Sequence, residues 1–261
     1  MNIVLNESEY VEGILRDHQL GPKPTETLVR VARYYSTVDM MKKSDVRAEL
    51  EKFMLRCDPS INLVKWQDTL DRIIKAAGKY PMVDIESVPI TKKEIALCDG
   101  LSKDTKRRDL SMYKSFSDKP MRRLLFTLIC LAKYSDLVNS KNGGWVNRTD
   151  KEIFKLANVV TPVKRQSLML NDLREMGHIK FSRKVDNVNI NVQCLDPGGA
   201  VALEIRDFRN LGYQYMRHCG EAYIECEQCG LVIKQRNNSQ KYCPDCAIDV
   251  NRQRSIDRRK S

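Results

Sequence analysis

The chain has 261 residues, a net charge of +11 and a pI near 9.2, with 42% hydrophobic and 30% charged residues. Such a length holds one large domain or several smaller ones, and the composition excludes collagen-like and low-complexity classes. Its longest apolar runs, such as LLFTLICLA (124–132), are too short to cross a bilayer, and the positive charge favours polyanionic partners, nucleic acid first among them.

The first residues, MNIVLNESEYVEG, show no charged segment followed by an apolar one, so no signal peptide is expected. The expected location is a reducing cytoplasm, where cysteines serve metals or cores rather than disulfides.

Residues 1–101 are predicted to form a helical N-terminal domain. Apolar residues recur at helical spacing over 8–20 (Tyr10, Val11, Ile14, Leu15), which stops at Gly21 and Pro22, and over 24–36, which opens on Pro24. The pattern returns over 44–57 (Val46, Leu50, Phe53, Met54) and 62–80 (Val64, Trp66, Leu70, Ile73, Ile74, Ala77). A further helix over 91–101 begins with Thr91 and Glu94 at capping-box spacing. These aromatic and methionine residues read as packing, and Asp84 and Glu86 as surface charge. Residues 102–119, with Lys103, Lys106, Arg107 and Arg108, read as a basic linker.

A second domain is predicted over 120–200. It opens with a strongly apolar helix at 120–139, then a turn and a short extended piece at 142–147. A helix at 149–159 begins with the capping pair Thr149 and Glu152. The next, 161–177, has Thr161 as N-cap, Pro162 at the first helical position and Gly177 as its stop. Alternating segments 178–185 and 188–195 then form a β-hairpin through Asp186 and Asn187.

This order, with LNDLREMGHIKFSRKVDNVNINV at its end, resembles bacterial winged helix-turn-helix domains. The resemblance implies that the third helix enters a major groove, with Lys164, Arg165, Gln166, Ser167 and Asn171 toward the bases. It implies phosphate contacts for Lys180, Arg183 and Lys184 of the wing. Winged helices also serve purely as protein-docking modules, and Asp172 and Glu175 on the same helix weigh toward that use.

Residues 201–225 read as a connecting strand and amphipathic helix, with Phe208, Leu211, Tyr215 and Met216 packing the tail onto the body. Tyr213, Tyr215 and Tyr223 near Arg206, Arg209 and Arg217 also offer a stacking surface for single strands, although packing is the preferred reading.

Four of the nine cysteines, Cys226, Cys229, Cys243 and Cys246, stand in two x2 pairs at the start of a module spanning 226–261. A two-residue gap lets neighbouring thiolates converge on one tetrahedral ion, and all four donors belong to the protein. The reading is structural Zn2+ in a zinc ribbon or treble-clef-like finger, with iron–sulfur ligation and a redox dithiol as alternatives. A hairpin turning at Asn237 and Asn238 is expected between the pairs. His218 and Cys219 precede the module but are not needed as ligands. Cys57, Cys98, Cys130, Cys194 and Cys219 read as buried small hydrophobes. A basic tail helix follows, offering Arg252, Arg254, Arg258 and Arg259 to a phosphate backbone.

The segments QKYCPDCAIDVNRQRSIDRRK, RRLLFTLICLAKY and GWVNRTDKEIFKLANV resemble zinc-ribbon-tailed proteins of bacteriophages and mobile elements of Gram-positive bacteria. That resemblance implies a nucleic-acid-handling setting, such as phage transcription or replication in a bacterial host's cytoplasm, and transfers no activity. The expected fold class is mainly α with small β elements, an α+β chain. No glycine loop for phosphates, nucleophile elbow or zinc-protease helix is present, so a DNA-binding protein rather than an enzyme is expected. The alternative is an adaptor or inhibitor that clasps a host protein or nucleoprotein complex.

Overall fold

The computed structural model describes residues 3–79, 81–104, 118–182 and 189–260. The chain forms two compact units, Met1–Glu86 and Ser87–Ser261, with helices and small antiparallel sheets. Among the described residues, no helix is long and apolar enough to cross a membrane.

The first unit is helical. α1 (Glu7–Asp17), α2 (Pro24–Thr37), α3 (Lys43–Cys57) and α4 (Gln67–Ala77) bury Val11, Leu28, Val31, Leu50, Phe53, Leu70 and Ile73 against one another. The helix expected over 62–80 starts instead as a 3₁₀ turn, Leu63–Trp66, whose different period leaves Val64 exposed. Asp84 is more than surface charge. Its carboxylate accepts from the Ser8 amide (2.9 Å) and hydroxyl (2.6 Å), tying the end of the unit to the first turn of α1.

The second unit begins earlier than the sequence suggests. β1 (Val88–Thr91) pairs antiparallel with β5 (Val201–Ile205), Val88 opposite Ile205 and Ile90 opposite Leu203. With this pairing β1 and α5 (Lys92–Asp104) belong to the second unit, which starts at Ser87 rather than after residue 101. The basic segment placed at 102–119 lies largely outside the described residues.

α6 (Asp118–Val138) is buried continuously from Leu124 to Ala132, because α5, β1, α7 (Asp150–Leu156) and α9 (Leu211–His218) pack around it. The expected capping boxes form. Glu94 accepts from the Thr91 amide at 2.8 Å and Glu152 from the Thr149 amide at 3.2 Å. Glu94 is fully buried, also accepts from the Asp196 amide, and pairs with Lys133 of α6 at 2.9 Å.

β2 (Trp145–Val146), β3 (Ile179–Phe181) and β4 (Ile190–Val192) form a three-stranded sheet in the order β2-β4-β3. α8 (Val163–Glu175) lies between α7 and β3 in the chain and starts one residue later than predicted. Pro162 itself occupies the N-cap, and Thr161 provides a carbonyl for the Gln166 side-chain Nε2 rather than a cap. Gly177 ends the helix in the left-handed region (φ 78°), as its position suggests. The predicted turn at Asp186 and Asn187 lies outside the described residues.

Candidate metal centre

The C-terminal module is built from β6 (Tyr223–Glu225), β7 (Val232–Lys234) and α10 (Pro244–Lys260). β6 and β7 pair antiparallel, with Ile224 opposite Ile233. The hairpin therefore encloses the first cysteine pair and does not lie between the two pairs. Gly230, at φ 71°, makes the reversal: its amide donates to the Cys226 carbonyl (2.9 Å), and the Cys226 amide donates to the Leu231 carbonyl (3.0 Å). Asn237 and Asn238 fall in a bend and turn outside any strand.

The second pair sits at the start of α10. The Cys243 amide donates to the Cys226 sulfur at 3.2 Å, the Cys246 amide to the Cys243 sulfur at 3.5 Å, and the Glu227 amide to the Lys241 carbonyl at 3.0 Å. These bonds lay one knuckle against the other. All four sulfurs lie within 4.8 Å of one another, in the only such group of His, Cys, Asp or Glu ligands among the described residues. The Cys229 and Cys243 sulfurs are 3.8 Å apart. A tetrahedron of thiolates at about 2.3 Å from an ion has edges of about 3.8 Å, so the spacing fits such an ion.

The electrostatics ask for a cation. At Cys226 burial pushes the thiol up, but the amides of Cys243, Cys229 and Gln228 outweigh it and bring the pKa down to about 6. The Cys246 thiol is pushed far up, chiefly by its hydrogen bond with Cys243, and burial raises Cys229. Burial and the hydrogen bonds among the thiols thus oppose ionisation of Cys229 and Cys246, and a divalent ion reverses that balance. Cys226 and Cys243 are buried, and Ile224, Leu231, Ile233 and Tyr242 pack around the sulfurs. The four cysteines are close enough to bind a metal ion, in a geometry compatible with structural zinc.

Residues with no local signal in the sequence dock this module onto α9. Asn210, at the helix's N-cap with φ 52°, donates to the Val232 carbonyl (2.9 Å) and accepts from Asn158. Arg209 donates to the Cys229 carbonyl at 2.6 Å, and Arg217 pairs with Glu225 at 2.6 Å. Phe208, Leu211, Tyr215 and Met216 are buried, as their spacing predicts. Tyr215 thereby leaves the set of tyrosines able to stack on a ligand.

The predicted contact residues are spread over separate elements. On α8, Lys164 and Ser167 are exposed. Arg165, Gln166 and Asn171 are half-buried, and the Asn171 side-chain Nδ2 donates to the Ser167 carbonyl at 3.0 Å. Lys180 is exposed on β3, while Arg183 and Lys184 lie outside the described residues. Arg252, Arg254 and Arg258 are exposed on α10; Arg259 belongs to that helix, but its side chain lies outside the described set. Of the remaining cysteines Cys98 and Cys130 are buried as expected, and burial raises both thiols. Cys219 is exposed instead, since it caps the end of α9.

No protein-family model, curated protein or solved structure matches the chain.

Proposed function

We propose that this chain is a zinc-stabilised nucleic-acid-binding protein that contacts DNA through α8, the β3–β4 hairpin and α10. The observation carrying this reading is a set of exposed cations without internal partners. Lys164, Lys180, Arg252 and Arg254 form no ion pair among the described residues. Several cations of the first unit are matched instead, Lys23 with Glu26, Arg33 with Glu7 and Lys52 with Glu49.

A structural rather than a catalytic ion is favoured because four thiolates fill a tetrahedral shell and leave no position for a substrate. In that role the ion holds a module too small for a core of its own. α6, α7, α8 and the β2-β4-β3 sheet follow the order of a winged helix-turn-helix, which favours α8 in a major groove with the hairpin on the neighbouring backbone. On α10, Arg254 and Arg258 stand one turn apart on one flank and Arg252 on another, so a helix lying in a groove meets both phosphate walls. The likeness to phage and mobile-element proteins favours a role in their transcription or replication, by binding rather than catalysis.

A mobility-shift series against salt tests this reading. Tight duplex binding that weakens steeply with salt, and weakens further in Lys164→Ala/Arg165→Ala and Arg252→Gln/Arg254→Gln proteins, is the expected result. Salt-insensitive binding, or none at low salt, sinks it.

A protein-docking role has one observation on its side: Val160 and Val163, at the front of α8, are exposed at 102% and 75%. If that role holds, Val163→Ser abolishes capture of a partner from nuclease-treated lysate while leaving DNA binding unchanged.

A further inference from the structure

Arg122 and Arg123 lie next to each other on α6, both half-buried. The Nε of each is closed off from solvent with no acceptor, and neither residue joins an ion pair among the described residues. The enclosed Nε leaves each guanidinium short of an acceptor, and one arriving from outside would meet the part of the side chain still open to solvent. The acidic groups around them are already engaged, Glu221 by Lys119 at 2.5 Å and Asp99 by the Tyr215 hydroxyl at 2.5 Å.

Two tyrosines stand near Arg123. The rings of Tyr213 and Tyr223 are 4.9 Å apart at 39°, both half-buried, and neither hydroxyl has a hydrogen-bond partner among the described residues. The Arg123 Cδ is 3.1 Å from where a Cβ on Gly212 would stand, which sets its stem at the beginning of α9, next to Tyr213. The Arg123 charge acts on Tyr223, and that of Arg122 on Cys219, at the far end of the same helix. Arg209 and Arg217, by contrast, are held by Asp207 and Glu225.

We propose that Arg122, Arg123, Tyr213 and Tyr223 form a binding site for an unpaired nucleic-acid strand. A base stacks on the tyrosine pair, and the guanidiniums take the flanking phosphates. Aromatic faces accept any base, and planar guanidiniums match phosphate geometry, so the site is indifferent to sequence. It deepens the nucleic-acid reading above and rests on it, but uses different residues from those that meet a duplex.

The test measures fluorescence anisotropy of the full zinc-loaded chain with labelled oligodeoxythymidine and, separately, with a labelled duplex. Arg122→Gln/Arg123→Gln is expected to weaken oligodeoxythymidine binding and to lower its salt slope by about 1.4, at about 0.7 per phosphate. Tyr213→Leu/Tyr223→Leu, which keeps apolar volume, is expected to weaken it by about tenfold or more. Duplex affinity, zinc content and melting temperature stay within twofold or unchanged, which shows that the variants fold. Wild-type protein that binds duplex but not oligodeoxythymidine, or single-strand binding unmoved by both variants, overturns this site and leaves the duplex reading standing. Loss of both ligands in the wild type overturns both. Displacement of oligodeoxythymidine by polyglutamate at equal charge, with no loss in the leucine variant, assigns the patch to an acidic protein surface and also overturns it.

Discussion

The Cys243 amide donates to the Cys226 sulfur across 3.2 Å, joining knuckles that lie 17 residues apart in sequence. The same bond helps hold the Cys226 thiol down near 6 while its neighbours are held up. In the folded chain Cys226 therefore ionises more readily than an ordinary thiol, while Cys229 and Cys246 resist ionisation. Uptake of a divalent ion must then release at least two protons, measurable by calorimetry in buffers of different ionisation enthalpy. Because the Cys226 pKa is depressed, the stability its thiolate contributes is present above the ordinary thiol pKa and disappears as pH falls through about 6. Metal affinity should decline over that window.

Elemental analysis should find one zinc per chain in a colourless protein; visible absorption bands mark an iron–sulfur cluster instead. Chelation, or Cys226→Ser with Cys243→Ser, should expose residues 223–258 to hydrogen exchange. The amides of α6 should stay protected, since its burial against α5 and α9 does not involve the sulfurs. Unaltered exchange after complete metal removal contradicts a structural role.

Glu94 sits fully buried against Lys133, so Glu94→Gln leaves that ammonium without a counter-charge. A loss of about 3–5 kcal/mol of stability is expected. Adding Lys133→Met should recover much of it, because the penalty comes from the orphaned charge. Denaturant unfolding of the four proteins of the cycle decides the matter, and additive effects contradict the coupling.

A Cβ on Gly212 would stand 1.9 Å from the Ala157 carbonyl oxygen, which is backbone and has little room to move. Gly212→Ala should destabilise by about 1–3 kcal/mol or more, lowering the melting temperature by several degrees. A wild-type melting curve refutes this close approach.

Lys180→Ala should weaken binding by a similar factor on every duplex sequence and lower the salt slope by about 0.9. Lys164→Ala/Ser167→Ala should instead change preference among sequences, by about 1–3 kcal/mol at an affected base pair. Identical behaviour of the two proteins removes α8 from base contact.

The readable features are local. Both capping boxes span four residues, and each cysteine pair encloses two, so a short window holds the whole chemical reason for them. Legibility ends where a partner lies far along the chain. Alternation in LVIK suggests one arm of a hairpin at Asn237, yet β7 finds its partner upstream in β6, because Gly230 turns the chain first. By its neighbours in sequence β1 belongs with the N-terminal helices, because nothing near it reveals β5.

The sequence by itself determined the paired cysteines, the helix caps and the excess of positive charge, all properties of residue type and short spacing. Only the tertiary structure decided which cations have partners. Arg209 and Arg217, nominated beside the tyrosines, are taken up by Asp207 and Glu225, while Arg122 and Arg123 arrive from α6 with no acceptor for either Nε among the described residues. The physical reason is that satisfaction of a charge is set by distance in space, and a chain folded through α6, α9 and β6 brings together groups some ninety residues apart.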